Sequence, residues 1–152
     1  MKIELYGSEG KFQKRVEMHR EDSRFNGFDY KVVSRDADRE GIVEVRIKNL
    51  EWFYEMDEIV GETLSRIIGS EDKDIAWIWK FYPHGDRNIF GLTRKGVGTR
   101  VLKSILKDIE FEGVDYFYSF NPEDKFRKLL GREGFEDIPI EEDPNEYLLR
   151  IA

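Results

Sequence analysis

The chain of 152 residues contains no cysteine, only two histidines and a single glutamine. Without thiols it can form no disulfide framework and offers no thiol nucleophile. Two histidines in the absence of cysteine argue against a dedicated zinc site. The sequence also lacks a signal peptide and any apolar run of membrane-spanning length, so we expect a cytoplasmic protein.

Acidic residues outnumber basic ones, 32 Asp and Glu against 25 Lys and Arg, which gives a net charge of -7. This balance argues against a general nucleic-acid binder and fits a cationic partner, such as a small-molecule amine or a basic peptide. Charged residues reach 38%, a composition typical of proteins from a thermophile. The length predicts one domain, residues 1–152, with a substantial core.

The first half of the chain predicts an antiparallel meander followed by a helix. Alternating apolar residues predict strands over 2–6, 12–19, 28–33 and 42–47, separated by short polar turns. Residues 51–68 change to helical spacing and predict one long amphipathic helix that ends at Gly69. Residues 75–82 are mostly apolar and predict a central strand buried on both faces.

A helix that begins at two glycines follows this strand. Gly96 and Gly98 alternate with Val97, and apolar residues then recur at helical spacing through Ile109. The first amides of a helix lack intrahelical partners, and the helix dipole adds roughly half a positive charge there. A glycine-rich helix start beside Arg94 and Lys95 therefore suits a phosphate or pyrophosphate. The alternative is a plain helix start with two turn glycines and solvated basic residues.

Two common phosphate-binding motifs do not match this segment. A P-loop requires Lys followed by Ser or Thr after its second glycine, whereas Val97 and Gly98 follow Gly96. A dinucleotide fingerprint requires a third small residue at position 101, which is Val101.

The segment resembles motif A of the GNAT superfamily of acyl-CoA-dependent N-acyltransferases, Q/R-x-x-G-x-G/A. Gly96 and Gly98 match its glycines, while Thr93 stands where Gln or Arg is usual. A strand-like run over 114–120 and then residues 121–136 resemble the family's next motif, in which Asn121 opens a short helix that ends in Gly-Phe-Glu. The resemblance covers roughly residues 75 to 140. As an ordered pair, the two motifs are more specific than either one alone.

The resemblance implies an α+β, α/β/α-layered fold with a mixed, mostly antiparallel central sheet and one splayed parallel strand pair. The pantetheine arm of acetyl-CoA would enter between strands 75–82 and 114–120, and the pyrophosphate would rest near the glycines. The cofactor-binding residues implied in this way are Phe81, Tyr82, Arg94, Lys95, Gly96, Val97, Gly98, Thr99, Arg100, Asn121, Lys125 and Phe126.

Direct attack of an amine on the thioester makes two chemical demands. A lysine-type amine, whose pKa is about 10.4, must lose a proton, and the departing thiolate must be stabilised. His84 is the candidate base, although it also fits a solvated loop position. Leu130 occupies the position of the family's usual tyrosine acid, so Tyr118 and Ser119 on the second cofactor strand are candidate substitutes. Tyr118 would equally fit ordinary strand packing.

Three hypotheses follow. The first is an N-acetyltransferase that acts without a metal on an unidentified amine. The second is a GNAT-fold module that binds acyl-CoA or a protein partner without turnover, since Leu130 and Thr93 depart from the family pattern. The third is a structural α/β domain whose glycines only turn the chain. The sequence leaves the oligomeric state open, a homodimer included.

Overall fold

The computed structural model describes residues 2–6, 12–24, 26–34, 40–69, 73–82, 97–138, 140 and 147–151. Within these residues an eight-stranded sheet has the order β1-β2-β3-β4-β5-β6-β8-β7. The strands are β1 (Lys2–Tyr6), β2 (Phe12–Asp22), β3 (Gly27–Ser34), β4 (Gly41–Asn49), β5 (Asp74–Tyr82), β6 (Tyr116–Phe120), β7 (Glu136–Asp137) and β8 (Tyr147–Ile151). The helices are α1 (Leu50–Met56), α2 (Glu58–Ile68), α3 (Val97–Phe111) and α4 (Asp124–Arg132).

The sheet is mixed and mostly antiparallel. Strands β1 to β5 form a continuous antiparallel meander, and β8 pairs antiparallel with both β6 and β7. The parallel pair is β5 with β6, and α3 connects these two strands. The predicted α+β fold with one parallel strand pair is therefore confirmed.

Helices cover both faces of the sheet. On one face, Val45 and Ile78 from the sheet pack with Ile105 of α3 and Leu130 of α4 in one buried cluster. On the other face, Ile75 and Trp77 of β5 join a second cluster. Its helical members are Leu50, Phe53, Val60, Leu64 and Ile68 of α1 and α2. Because consecutive residues of β5 contribute to opposite clusters, the apolar run of this strand buries both of its faces at its amino-terminal half.

The prediction of one continuous helix over 51–68 is wrong. Asp57 has extended backbone angles, φ -157° and ψ 112°, and separates α1 from α2. Its carboxylate accepts hydrogen bonds from the backbone amides of Ile59 and Val60, so it caps α2. Gly61 allows the two helices to meet closely, since a Cβ there would lie 2.7 Å from Cα of Tyr54. The apolar spacing continues across Asp57, which hid this break.

Polar contacts attach α3 to the sheet on both sides. Tyr30 of β3 donates a 2.7 Å hydrogen bond to Asp108, and Arg20 of β2 contacts the same carboxylate at 3.0 Å. Arg150 of β8 contacts Glu110 at 2.6 Å. Helix α3 is thus held across the strands from β2 to β8. As a crossover between parallel strands, it runs antiparallel to them and begins at the carboxyl ends of β5 and β6.

Within the described residues, no helix has both the length and the apolar character required to cross a membrane.

Candidate functional site

The parallel strands β5 and β6 separate toward their carboxyl ends. Their register joins Ile75 with Tyr116 and Trp77 with Tyr118, and no pairing follows these positions. Strand β5 nevertheless continues to Tyr82. Two neighbouring strands that stop pairing while one continues leave backbone donors and acceptors facing a gap. This separation confirms the predicted splayed pair.

A cleft of about 120 Å³ lies at the gap between these strand ends. It is bounded by the second half of β5, the end of β6 and the start of α4. The residues that line it are Ile78, Trp79, Lys80, Phe81, Tyr82, Ser119, Phe120, Asn121, Pro122, Glu123 and Phe126.

A β-bulge shapes the β5 wall of the cleft. Val45 of β4 pairs with Ile78 and Glu44 pairs with Lys80, so Trp79 is an extra residue without a partner across the ladder. The Trp79 ring lies 4.9 Å from the ring of Trp77, which belongs to the α1/α2 cluster. Lys80 lies 3.8 Å from Glu44. Because Val43 and Val45, on either side of Glu44, belong to the α3/α4 cluster, Glu44 and Lys80 face α1 and α2. The bulge therefore places Trp79 and Lys80 on the same face.

The cleft has a different lining on each side of the sheet. On the α3/α4 side, the Phe81 ring stacks on Phe126 of α4, with centroids 4.4 Å apart and an interplanar angle of 8°. Ser119 shares this side with Phe117, since strand residues alternate between faces. On the α1/α2 side lie Trp79 and Phe120, which are 41% and 46% exposed. The cleft thus connects an aromatic wall beside α4 with an open face beside α1.

Two helix starts adjoin this edge of the sheet. Helix α3 begins at Val97, and Gly98, Thr99 and Arg100 form the rest of its first turn. Its orientation puts these first amides at the carboxyl ends of β5 and β6, where the helix dipole is positive. Arg100 is exposed there.

The second helix start differs from its sequence prediction. We expected Asn121 to cap α4, but Glu123 is the N-cap residue and makes no side-chain capping hydrogen bond. Asn121 instead has a left-handed backbone with φ 45°, which asparagine tolerates better than most residues. The chain therefore turns at Asn121 before α4 begins, and this turn places Asn121 in the cleft wall. Lys125 lies exposed in the first turn of α4.

The two candidate acids of β6 lie in different environments. Ser119 is 2% exposed and lines the cleft. Tyr118 is fully buried on the opposite face, where its ring packs 5.1 Å from Phe53 and 6.2 Å from Trp77. Leu130 is fully buried in the α3/α4 cluster, which gives it a packing role.

Several predicted site residues lie outside the described part of the chain. These are the candidate base His84 and the phosphate-binding candidates Arg94, Lys95 and Gly96. Among the predicted cofactor residues, the structure brings four together around the cleft, namely Phe81, Tyr82, Asn121 and Phe126. Val97, Gly98, Thr99 and Arg100 belong to the adjacent start of α3.

Sequence reasoning missed Trp79 and Lys80 as cleft residues. The run over 75–82 predicted burial on both faces, but Trp79, Lys80 and Tyr82 are exposed, whereas Ile75 to Ile78 are buried. A lysine inside an otherwise apolar strand was the available signal of this change. The bulge itself depends on the register with β4, which the local sequence does not encode.

Comparisons with known proteins find similarity at the level of structure. No family model and no curated protein sequence matches the chain. An agmatine N-acetyltransferase in its apo form matches with a TM-score of 0.55 and 9% identity, over 82% of this chain and 74% of that one. A polyamine N-acetyltransferase from Drosophila melanogaster, described as forming N-acetylagmatine, matches with a TM-score of 0.51 and 10% identity over the same shares. At such identities the match concerns the fold, and it agrees with the splayed parallel pair: the chain has the fold of the GNAT superfamily.

Proposed function

We propose that this protein is an acetyl-CoA-dependent N-acetyltransferase that acts on an amine. The observation that carries the proposal is the separation of β5 and β6 after Trp77 and Tyr118, with a cleft between the strand ends. A gap between two strands exposes backbone groups that an extended molecule with its own amides can pair with. The pantetheine arm of acetyl-CoA is such a molecule.

The helix starts support the position of the phosphates in this proposal. The first turn of α3, with Gly98 and Thr99, offers backbone amides at the positive end of a helix. Gly98 lacks a side chain that would keep a pyrophosphate away from these amides. Arg100 and Lys125 supply charge for the pyrophosphate or the 3′-phosphate. Arg94, Lys95 and Gly96 keep their predicted phosphate-binding role.

The two sides of the cleft support separate routes for the two substrates. The start of α3 lies on the α3/α4 side, so the cofactor would lie along Phe81, Ser119 and Phe126. The amine would then approach the thioester from the open α1/α2 side, past the bulge at Trp79. The bulge leaves a backbone position of β5 unpaired beside the cleft, where an amide can donate to a developing oxyanion.

The reaction in this proposal is direct transfer. The amine nitrogen forms a bond to the acetyl carbon, the carbon–sulfur bond breaks, and the thiolate departs. Ser119 rather than Tyr118 lines the cleft, so the proposal assigns to its hydroxyl the donation of a hydrogen bond to the departing sulfur. His84 keeps its predicted role as the base that removes the proton of the attacking ammonium.

Titration calorimetry with acetyl-CoA tests the cofactor site. Wild type should bind acetyl-CoA, and Ser119→Leu, which fills the cleft with three additional carbon atoms, should weaken binding. Ser65→Leu is the matched control, since Ser65 lies on α2 and is not among the cleft residues. Equal affinities for wild type and Ser119→Leu would refute a cofactor site between β5 and β6.

The burial of Leu130 favours one alternative, a module that binds acyl-CoA without turnover. Leu130 has no exposed surface and cannot donate a proton to the sulfur. A protein that binds acetyl-CoA at this cleft, but forms no amide with any amine of a broad panel, would match that alternative.

A further inference from the structure

The closed end of the cleft is formed by two buried residues, Ile78 and Ser119. They are 4% and 2% exposed, whereas every other described residue of the cleft lining is at least partly exposed. Both directly follow the last pair of the parallel ladder, Trp77 with Tyr118. The cleft therefore deepens from an open mouth beside the start of α4 to a floor where β5 and β6 come together, and we call Ile78 and Ser119 the cleft floor.

The direction of the cleft decides which end of the cofactor reaches the cleft floor. The start of α3, with the proposed pyrophosphate site, lies at the carboxyl ends of β5 and β6, which is the open mouth. The thioester is at the other end of the pantetheine arm. The acyl group of a bound acyl-CoA therefore points toward the vertex of the two strands, an orientation that rests on the proposed acetyltransferase function.

Ile78 is the apolar half of the cleft floor. It belongs to the α3/α4 cluster, and this is the side on which the cofactor is placed beside Phe81 and Ser119. Because the Ser119 hydroxyl is assigned to the departing sulfur, the carbon chain beyond the carbonyl meets the side chain of Ile78. A β-branched side chain has few alternative rotamers, so Ile78 forms a fixed stop.

The residues behind Ile78 are tightly buried. Val45 pairs with Ile78 across the β4–β5 ladder, and Val45, Phe117, Ile105 and Leu130 of the same cluster have no exposed surface. Protein cores are packed about as densely as organic crystals, so a chain that extends past Ile78 must displace these side chains. Such overpacking is costly.

Aromatic rings close the vertex on the other face of the sheet. The rings of Trp77 and Tyr118, which form the last ladder pair, lie 6.2 Å apart, and Phe53 of α1 packs 5.1 Å from Tyr118. Trp77 is 7% exposed, and Tyr118 and Phe53 are fully buried. An acyl chain that turned toward α1 at the vertex would therefore also enter a packed cluster.

The open part of the cleft cannot take a longer chain without a consequence for the reaction. Its volume of about 120 Å³ lies well below the roughly 300 Å³ at which pockets for drug-sized ligands begin, so the pantetheine arm itself fills it. The remaining exit passes the exposed rings of Trp79 and Phe120. This exit is the proposed route of the amine, so a chain that left there would obstruct the acceptor.

We propose that Ile78 sets the length of the transferred acyl group and restricts it to acetyl. In the reaction the amine nitrogen bonds to the acyl carbon, the carbon–sulfur bond breaks, CoA departs as the thiolate with that electron pair, and the ammonium proton passes to the base. Ile78 takes no part in these steps. It determines which chains fit beyond the carbonyl while the thioester carbon stays within reach of the amine.

A series of acyl-CoA donors tests the size limit. Acetyl-, butanoyl- and hexanoyl-CoA differ only in chain length and are compared with the same amine, the best acceptor of a panel. We expect kcat/KM to be at least about tenfold lower for butanoyl-CoA than for acetyl-CoA, and lower again for hexanoyl-CoA. Equal values along the series would overturn the inference.

Variants of Ile78 locate the limit at this side chain. Ile78→Ala should bring the ratio of kcat/KM for butanoyl-CoA to that for acetyl-CoA toward one, and the milder Ile78→Val, which is expected to fold in any case, should shift it part of the way. Ile109→Ala is the matched control, because Ile109 is fully buried in the same cluster near the end of α3 and is not a cleft residue. It should destabilise the protein without moving the ratio. An unchanged ratio in the Ile78 variants, or an equal shift in Ile109→Ala, would overturn the role of Ile78.

A binding measurement separates this inference from the proposed function. Titration calorimetry with acetyl-CoA and hexanoyl-CoA, without an acceptor, reports whether the chain fits. Tighter binding of acetyl-CoA by wild type, with the preference lost in Ile78→Ala, supports the size limit even if no amide forms. Failure of acetyl-CoA to bind overturns the proposed function and the size limit with it. Binding of acetyl-CoA together with equal or tighter binding of hexanoyl-CoA overturns only the size limit and shows that the chain leaves by the open side.

Discussion

Phe81 of β5 and Phe126 of α4 stack face to face, 4.4 Å apart and within 8° of parallel. The pair joins the separated end of β5 to the helix that follows β6, so it spans the α3/α4 side of the cleft. A cofactor arm that enters between the strands must therefore lie against this stack or separate it.

A double-mutant cycle of Phe81→Ala and Phe126→Ala should give a coupling energy of about 0.5–1.5 kcal/mol in the free protein. The reason is that an offset or stacked pair of aromatic rings stabilises the folded protein by more than the burial of its apolar surface alone provides. Urea unfolding of the four proteins, with and without CoA, measures the coupling. If CoA separates the rings, the coupling should fall in its presence, whereas additive effects in the free protein would contradict the stack.

Gly98→Val should lower the affinity for CoA by about tenfold, the cost of losing one hydrogen bond to a charged phosphate. Gly98 lies in the first turn of α3, where a branched side chain would keep the pyrophosphate from the amides. Gly131→Val in α4 is the matched control, because its Cβ would meet no atom within 4 Å. Calorimetry and thermal unfolding of both variants separate a phosphate role from a loss of helix stability; equal affinities in the two variants would contradict a phosphate site.

Leu130→Tyr should destabilise the protein by about 1–3 kcal/mol through overpacking and should not raise turnover. Leu130 is fully buried in the α3/α4 cluster, so an added hydroxyl would enter the core rather than the cleft. Leu129→Tyr is the control, since Leu129 is only partly buried. A faster acetyl transfer by Leu130→Tyr would show that this position does reach the reacting sulfur.

The hydrogen bond from Tyr30 to Asp108 predicts a pH-dependent stability. Burial, with the hydrogen bond to the Asp108 carboxylate, raises the pKa of Tyr30 well above its ordinary value of 10.0. Because the pKa of Tyr30 is higher in the folded state than in the unfolded state, its stabilising effect is complete below about pH 10. This stabilisation is lost as the pH rises from the unfolded-state pKa through the folded-state pKa. Tyr30→Phe should cost about 1 kcal/mol at pH 8, a difference that should shrink toward pH 11. Urea unfolding of both proteins across this range would contradict the linkage if the difference stayed constant.

The strands and α3 were predictable because their apolar residues follow a simple period. Alternation located β1, β3 and β4 to within one or two residues, and helical spacing after Gly98 located α3. The break at Asp57 escaped prediction because the apolar spacing continues across it, while its carboxylate prefers the free amides of Ile59 and Val60. A local side-chain hydrogen bond here outweighs the periodic pattern.

The features of the site that follow from the order of motifs along the chain were predictable. Those that depend on the pairing register between β4 and β5 were not. The two motifs placed Phe81, Ser119, Asn121 and Phe126 on the elements that form the cleft. The exposure of Trp79 arises from its unpaired position opposite Glu44 and Val45, and such a pairing joins segments distant in the chain.

The most direct test of the acetyltransferase account is mass-spectrometric detection of labelled acetyl transfer from acetyl-CoA to a panel of amines and amino acids. The account predicts an N-acetylated product that requires the protein, the release of one CoA thiol for each amide formed, and a lower rate in Gly98→Val. Tight binding of acetyl-CoA without an amide product from any amine would contradict the account and leave an acyl-CoA-binding module.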